Sequence, residues 1–155
     1  MGRPELNAAV VFEGGYRFGS GHAVAVTSSL RSPLEQSPLT GRTGVGLTAT
    51  VGGEAVVAIG RGADRRSVLR GAEVALGLGA SVYEADLSSA GTESVIVPSL
   101  SVSPRVALPL TPTVSVPVGL RLVHEVGGDG RPGTFVGVSV GLRRIWADQA
   151  RMVLD

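Results

Sequence analysis

The side chains best equipped for acid–base or nucleophilic chemistry are few. The chain has two histidines, His22 and His124, and no cysteine. His22 stands beside a glycine turn and reads as a surface turn residue. His124, in "RLVHEVGGDG", continues the alternate set Val114, Val116, Val118, Leu120 and Leu122. An imidazole activates a nucleophile only when a hydroxyl or thiol lies within hydrogen-bond reach. "GGDG" at 127–130 supplies a single carboxylate, Asp129, far short of the ligand set calcium takes. "GYRFGSG" at 15–21 is glycine-rich like a phosphate loop. No helix follows it and it has no Lys–Ser/Thr ending, so it reads as a hairpin turn. Arg61, Arg65, Arg66 and Arg70 surround one loop, where they meet either solvent or anionic lipid headgroups. A different chemistry suits the remaining charges. Glu13 and Glu73 share one strand face with Arg17, Arg105, Arg121 and Arg143, and both signs are present for ion pairing in a confined space.

The elements that carry these residues are strands. Period-two alternation runs through the chain, and helical periodicity is nearly absent. "TVSVPVGLRL" at 113–122 sets the pattern: Val114, Val116, Val118, Leu120 and Leu122 alternate with Thr113, Ser115, Pro117, Gly119 and Arg121. The spacing predicts eight strands, at 6–18, 22–30, 43–51, 55–61, 70–85, 94–108, 113–122 and 135–146. "GGE" at 52–54 is taken as the turn between the third and fourth. A tail, 147–155, follows. Short connections without helices imply an antiparallel up-and-down meander, and the whole chain, 1–155, reads as one domain.

Composition bears on which face meets what. Hydrophobic residues make up 43% of the 155, but charged residues only 17%, below the roughly 25% usual in soluble domains. All 14 basic residues are arginine; lysine, the usual solubiliser of water-facing strands, is missing. The net charge of +1 gives no field for nucleic acid. The second strand face is built of Gly, Ser, Ala and Thr, too small for a good solvating coat and well sized for the inside of a narrow barrel. The first face is smooth and aliphatic, as lipid contact requires. Strands of about 9–11 residues span a bilayer when tilted, and only closed barrels satisfy every backbone group of a strand in lipid. The expectation is a closed eight-stranded transmembrane β-barrel, apolar outside and polar inside. Tyr16, Phe18, Tyr83, Phe135 and Trp146 fall near strand ends, where an aromatic interface belt belongs.

The alternating strands and the final "VGVSVGLRRIW" resemble the small bacterial outer-membrane barrels of the eight-stranded OmpA/OmpX-like type. In that family the last strand carries a polar residue, a glycine two on, hydrophobics and a terminal aromatic; Ser139, Gly141 and Trp146 fit. Arg144 takes a place where a hydrophobic is usual, and residues continue past Trp146. The resemblance implies a non-enzymatic structural or surface-interaction role in the outer membrane. It implies a porin-like shape with a filled lumen and no cofactor. It also implies contact with the lipid bilayer, lipopolysaccharide and the outer-membrane assembly machinery. "MGRPELNAAV" lacks the basic and apolar blocks of a signal peptide, so a leader is expected to have been removed.

Three other readings stay open. One is a soluble ligand-binding barrel with the Val/Leu face turned inward. Another is a lipid A-modifying barrel similar to the PagL-type deacylases, whose pattern has a serine two residues after a lipid-facing histidine. Val126 holds that place after His124. The last is a β-rich assembly subunit whose apolar faces pack on sister chains.

Overall fold

The computed structural model describes residues 5–18, 21–33, 48–60, 68–87, 91–126 and 133–147. They form seven strands: β1 Glu5–Arg17, β2 Ala23–Pro33, β3 Thr48–Ala58, β4 Ala72–Leu87, β5 Gly91–Pro109, β6 Val114–Glu125 and β7 Thr134–Ala147. A 3-10 turn, Val68–Gly71, leads into β4. The strands close into one barrel in chain order. All neighbours in sequence pair antiparallel, and β1 pairs parallel with β7. The expected residues 43–47 and 148–155 lie outside the described set.

The barrel therefore has seven strands where the sequence predicts eight, because "GGE" is not a turn. Gly52 and Gly53 lie inside β3, paired to Thr27 and Val26 on one side and to Gly79 and Leu78 on the other. A Gly-Gly hairpin turn needs positive φ. Among the described glycines only Gly21 has it, at 82°, in the turn between β1 and β2. Gly52 serves a close approach instead: a Cβ there would sit 2.2 Å from the Leu78 carbonyl oxygen. An odd strand count also explains the parallel seam. In an up-and-down order the first and seventh strands run the same way.

Each strand runs between two rims. The first rim holds the starts of β1, β3, β5 and β7; the second holds their ends. The hydrogen-bonded register can be followed from Tyr16 through Val24, Ala55, Leu76, Val102, Leu122 and Val136 back to β1 at Leu6. The circuit closes with a stagger of ten residues, from 16 to 6, which tilts the strands and sets a narrow bore. Every residue on that circuit points outward, and all but Tyr16 are aliphatic.

Prolines account for the gaps in the ladder. The β5–β6 pairing skips Pro104, and the β6–β7 pairing skips Pro117. Proline has no N–H to donate, and the ladder resumes beyond each one.

The two faces differ sharply. Outside lie Val26 at 70% exposure, Leu78 at 69% and Ile96 at 70%, amid many other aliphatics. Inside lie Thr27, Ser29, Thr48, Thr50, Ser81, Ser99, Ser101, Ser103 and Ser139, with buried Glu and Arg. Four small apolar residues, Ala23, Val56, Ala75 and Ile145, pack together inside the second rim.

Candidate functional site

The lumen is the chemically distinctive region. Glu13 on β1 stands opposite Arg143 across the parallel seam. Glu73 on β4 stands opposite Arg105 on β5. The two pairs meet across the bore and exchange partners. Arg143 donates from Nε to Glu13 Oε2 at 2.6 Å and from Nη1 to Glu73 Oε2 at 2.8 Å. Arg105 donates from Nε to Glu73 Oε1 at 2.7 Å and from Nη1 to Glu13 Oε1 at 2.7 Å. Each guanidinium thus bridges both carboxylates, and the quartet ties β1, β4, β5 and β7 together. Only a planar fork with several donors can do this; a lysine ammonium is a point charge on a flexible stem.

A branch leaves the quartet along the lumen. Glu54 on β3 contacts Arg105 Nη1 at 3.2 Å and Arg121 Nη1 at 3.1 Å. Arg121 reaches toward Ser101 Oγ at 3.5 Å. Nearer the first rim, Arg31 on β2 pairs with Glu125 on β6. The Arg31 guanidinium also lies over the Phe135 ring, 3.9 Å from its centre, a favourable cation–π distance. The buried charges of the described residues are Glu13, Glu54, Glu73, Glu125, Arg31, Arg105, Arg121 and Arg143. They balance, four against four. Unpaired, any one would be costly; each has an opposite charge within reach, the quartet through hydrogen bonds and Glu54 through ion-pair contacts that lack hydrogen-bond geometry.

The remaining bore is filled with hydroxyls and glycines. Thr50 Oγ1 and Ser81 Oγ, directly opposite in register, are 3.1 Å apart. Among the described residues, two cavities of about 10 Å³ each are both lined by Arg121, Thr50 and Val123. Each has room for about one water.

Of the six charges expected on the small face, Glu13, Glu73, Arg105, Arg121 and Arg143 come together in the lumen. Arg17 does not: it lies exposed at the second rim, two inward positions beyond Glu13. Sequence reasoning missed Glu54, Arg31 and Glu125. Each continues an inward phase past a point taken as a strand end: Thr48 and Thr50 to Glu54, Thr27 and Ser29 to Arg31, Arg121 and Val123 to Glu125.

Among the expected interface aromatics, Tyr16, Phe18 and Trp146 are exposed at the second rim. Phe135 is corrected: it is buried inside the barrel at 6% exposure, on the phase of Gly137, Ser139 and Arg143. The Tyr83 side chain lies outside the described residues, as do Asp129, Arg61, Arg65 and Arg66. Arg70 is exposed at the second rim and His22 is exposed beside the β1–β2 turn. His124 is half-buried and shares a hydrogen bond between Nδ1 and Thr134 Oγ1, 3.0 Å away on β7. That hydroxyl comes from the neighbouring strand, so sequence spacing did not reveal it. Among the described residues no group of three His, Asp or Glu side chains is placed to hold a metal ion.

No protein-family model, curated protein or solved structure matches the chain.

Proposed function

We propose that the chain is an integral outer-membrane β-barrel of the small OmpA/OmpX-like kind, with a structural or surface-interaction role and a lumen closed by ion pairs. The supporting observation is the inversion of the barrel. Aliphatic side chains cover the outside, while buried hydroxyls and four Arg–Glu charge couples occupy the inside. Water outside would leave this broad apolar surface uncompensated. Lipid outside makes it the favourable face, and the closed ladder satisfies the backbone. A carrier of apolar ligands needs a dry, apolar cavity; the charged bore offers none. In this reading the lipid neighbours are bilayer phospholipid and lipopolysaccharide, and β7, with Ser139, Gly141 and Trp146, is the strand presented to the assembly machinery.

The test is a denaturing gel run with and without heating, on chain folded in detergent. A compact unheated band that shifts on boiling, together with precipitation when detergent is withdrawn, is the expected result. A monodisperse monomer in plain buffer with full β-structure overturns the reading.

The His124–Thr134 hydrogen bond favours a second reading, the lipid-modifying barrel. Thr134 Oγ would attack the ester carbonyl while His124 takes its proton and passes it to the departing lipid hydroxyl; water, deprotonated by His124, would then cleave the acyl–threonine ester, releasing the fatty acid and restoring the Thr134 hydroxyl. Fatty-acid release from lipopolysaccharide that vanishes in both His124→Gln and Thr134→Val is the result this reading requires.

A further inference from the structure

We infer that the second rim, at the parallel seam, carries a binding site for anionic phospholipid headgroups, built from Arg144, Trp146, Tyr16 and Phe18. The inference rests on the membrane reading above and adds a lipid class and a place. Arg144 and Trp146 are both outward residues of β7, and the Arg144 guanidinium lies 5.2 Å from the Trp146 ring centre. Across the seam Trp146 stands beside Tyr16. Tyr16 in turn packs edge-on against Phe18, with ring centres 5.4 Å apart. All three rings are exposed, Trp146 at 52%. Arg17 is exposed at the same rim, paired in register with Ala147.

Two features of this cluster point to a headgroup. Tyrosine and tryptophan settle at the headgroup level, apolar ring body toward the chains and polar tip toward water. A guanidinium resting on such a ring stays at the same depth and keeps an open edge for a phosphate, which it can bind with two parallel hydrogen bonds. Elsewhere the described outward positions are mostly aliphatic, with Phe12, Ser28 and His124 among the exceptions, and the seam is where an outward arginine and aromatic rings coincide. At the first rim the charges that the structure places, Arg31 and Glu125, are turned inward and paired. The attraction expected of a basic residue near an anionic surface is about fivefold in local concentration.

Trp146 is the chain's single tryptophan, so its fluorescence reports on this site alone. The experiment folds the full chain into phosphatidylcholine vesicles doped with a minor fraction of acyl-brominated lipid. The brominated lipid is either phosphatidylglycerol or phosphatidylcholine at the same mole fraction. Stronger quenching of Trp146 by the anionic quencher, lost in high salt and reduced to parity in Arg144→Gln, is the expected result. Arg70→Gln, which alters an exposed arginine on the β4 side of the barrel, leaves the preference unchanged. Equal quenching by the two lipids, or a preference that survives Arg144→Gln, overturns the site. Quenching by neither lipid would instead show that Trp146 never meets acyl chains, and the membrane reading itself would fail.

Discussion

The two halves of the lumen solve the same problem in different ways. Toward the second rim, Glu13, Glu73, Arg105 and Arg143 form a closed exchange in which every charge has two opposite neighbours. Toward the first rim, the couple Arg31 and Glu125 spans a bore that also holds Asn7, Val97, Val123 and Phe135, with Arg121 reaching in from the Glu54 branch. The quartet joins strands that are far apart in sequence and includes both sides of the seam, where β1 must find β7. The couple joins β2 to β6 and leans on Phe135. The difference implies that the quartet holds the closure and the couple seals an opening. Arg143→Met tests this most severely. It strands two buried carboxylates on Arg105 alone and is expected to cost about 3–5 kcal/mol. Urea unfolding of the detergent-folded barrel, followed by the heat-shifted band, reads that loss. A barrel that is barely weakened would remove the quartet's claim to the seam.

The inner halves differ by charge; the outer surface differs by depth, and this bears on the membrane reading. Leu78 lies mid-strand and fully outward, whereas Leu108 lies near the second rim. In a bilayer, Leu78→Arg is expected to destabilise by about 2–4 kcal/mol and Leu108→Arg by about 0–1 kcal/mol. On a water-facing surface both changes would fall within about 0.5 kcal/mol. Refolding titrations in vesicles separate these outcomes, and equal small effects at both sites would argue for water outside.

Much of this architecture was legible because its two environments are chemically opposite. A strand between an apolar outer face and a small polar bore writes a clean period of two, so most strands and their faces could be read directly. The quartet followed, since Glu13, Glu73, Arg105 and Arg143 keep the phase of their small neighbours. What failed was strand length. Gly52 and Gly53 have the same letters in a tight turn and in a close approach. The choice depends on Gly79 and the Leu78 carbonyl, which reach them only through tertiary pairing. Ending β3 at that point hid Glu54 and made seven strands look like eight. Arg31 and Glu125 were hidden likewise, for each keeps an inward phase beyond an assumed boundary; Phe135 opens the expected last strand, on the inward phase of Gly137 and Ser139, and its place at a strand end suggested an interface instead. Arg17 failed the other way: its phase is inward, but it lies exposed at the second rim. His124 and Thr134 are ten residues apart, and nothing but the register of β6 and β7 brings them together.

The couple near the first rim offers a gentler test than the quartet. Arg31→Met leaves one carboxylate, Glu125, without its guanidinium and removes the contact on Phe135. A loss of about 2 kcal/mol is expected, within the range for one buried charged group left unsatisfied. If Arg31→Met were to cost as much as Arg143→Met, the lumen would be one continuous network, and the division into a closure and a seal would be wrong.

The smallest effect probes the hydroxyl-lined stretch between the two charged zones. Thr50 and Ser81 face each other on β3 and β4, and their hydroxyls are 3.1 Å apart. Thr50→Val keeps the shape and removes one partner, leaving the wholly buried Ser81 hydroxyl without that bond. The expected cost is about 1 kcal/mol. Adding Ser81→Ala removes the stranded group, so the double variant is expected to be no less stable than Thr50→Val alone. The coupling measured by this cycle isolates the hydrogen bond from the packing. A negligible cost in Thr50→Val would mean that water from the adjoining cavities, both of which Thr50 lines, satisfies Ser81 just as well. The middle of the bore would then be a hydrated segment held between two charged closures rather than a packed part of the wall.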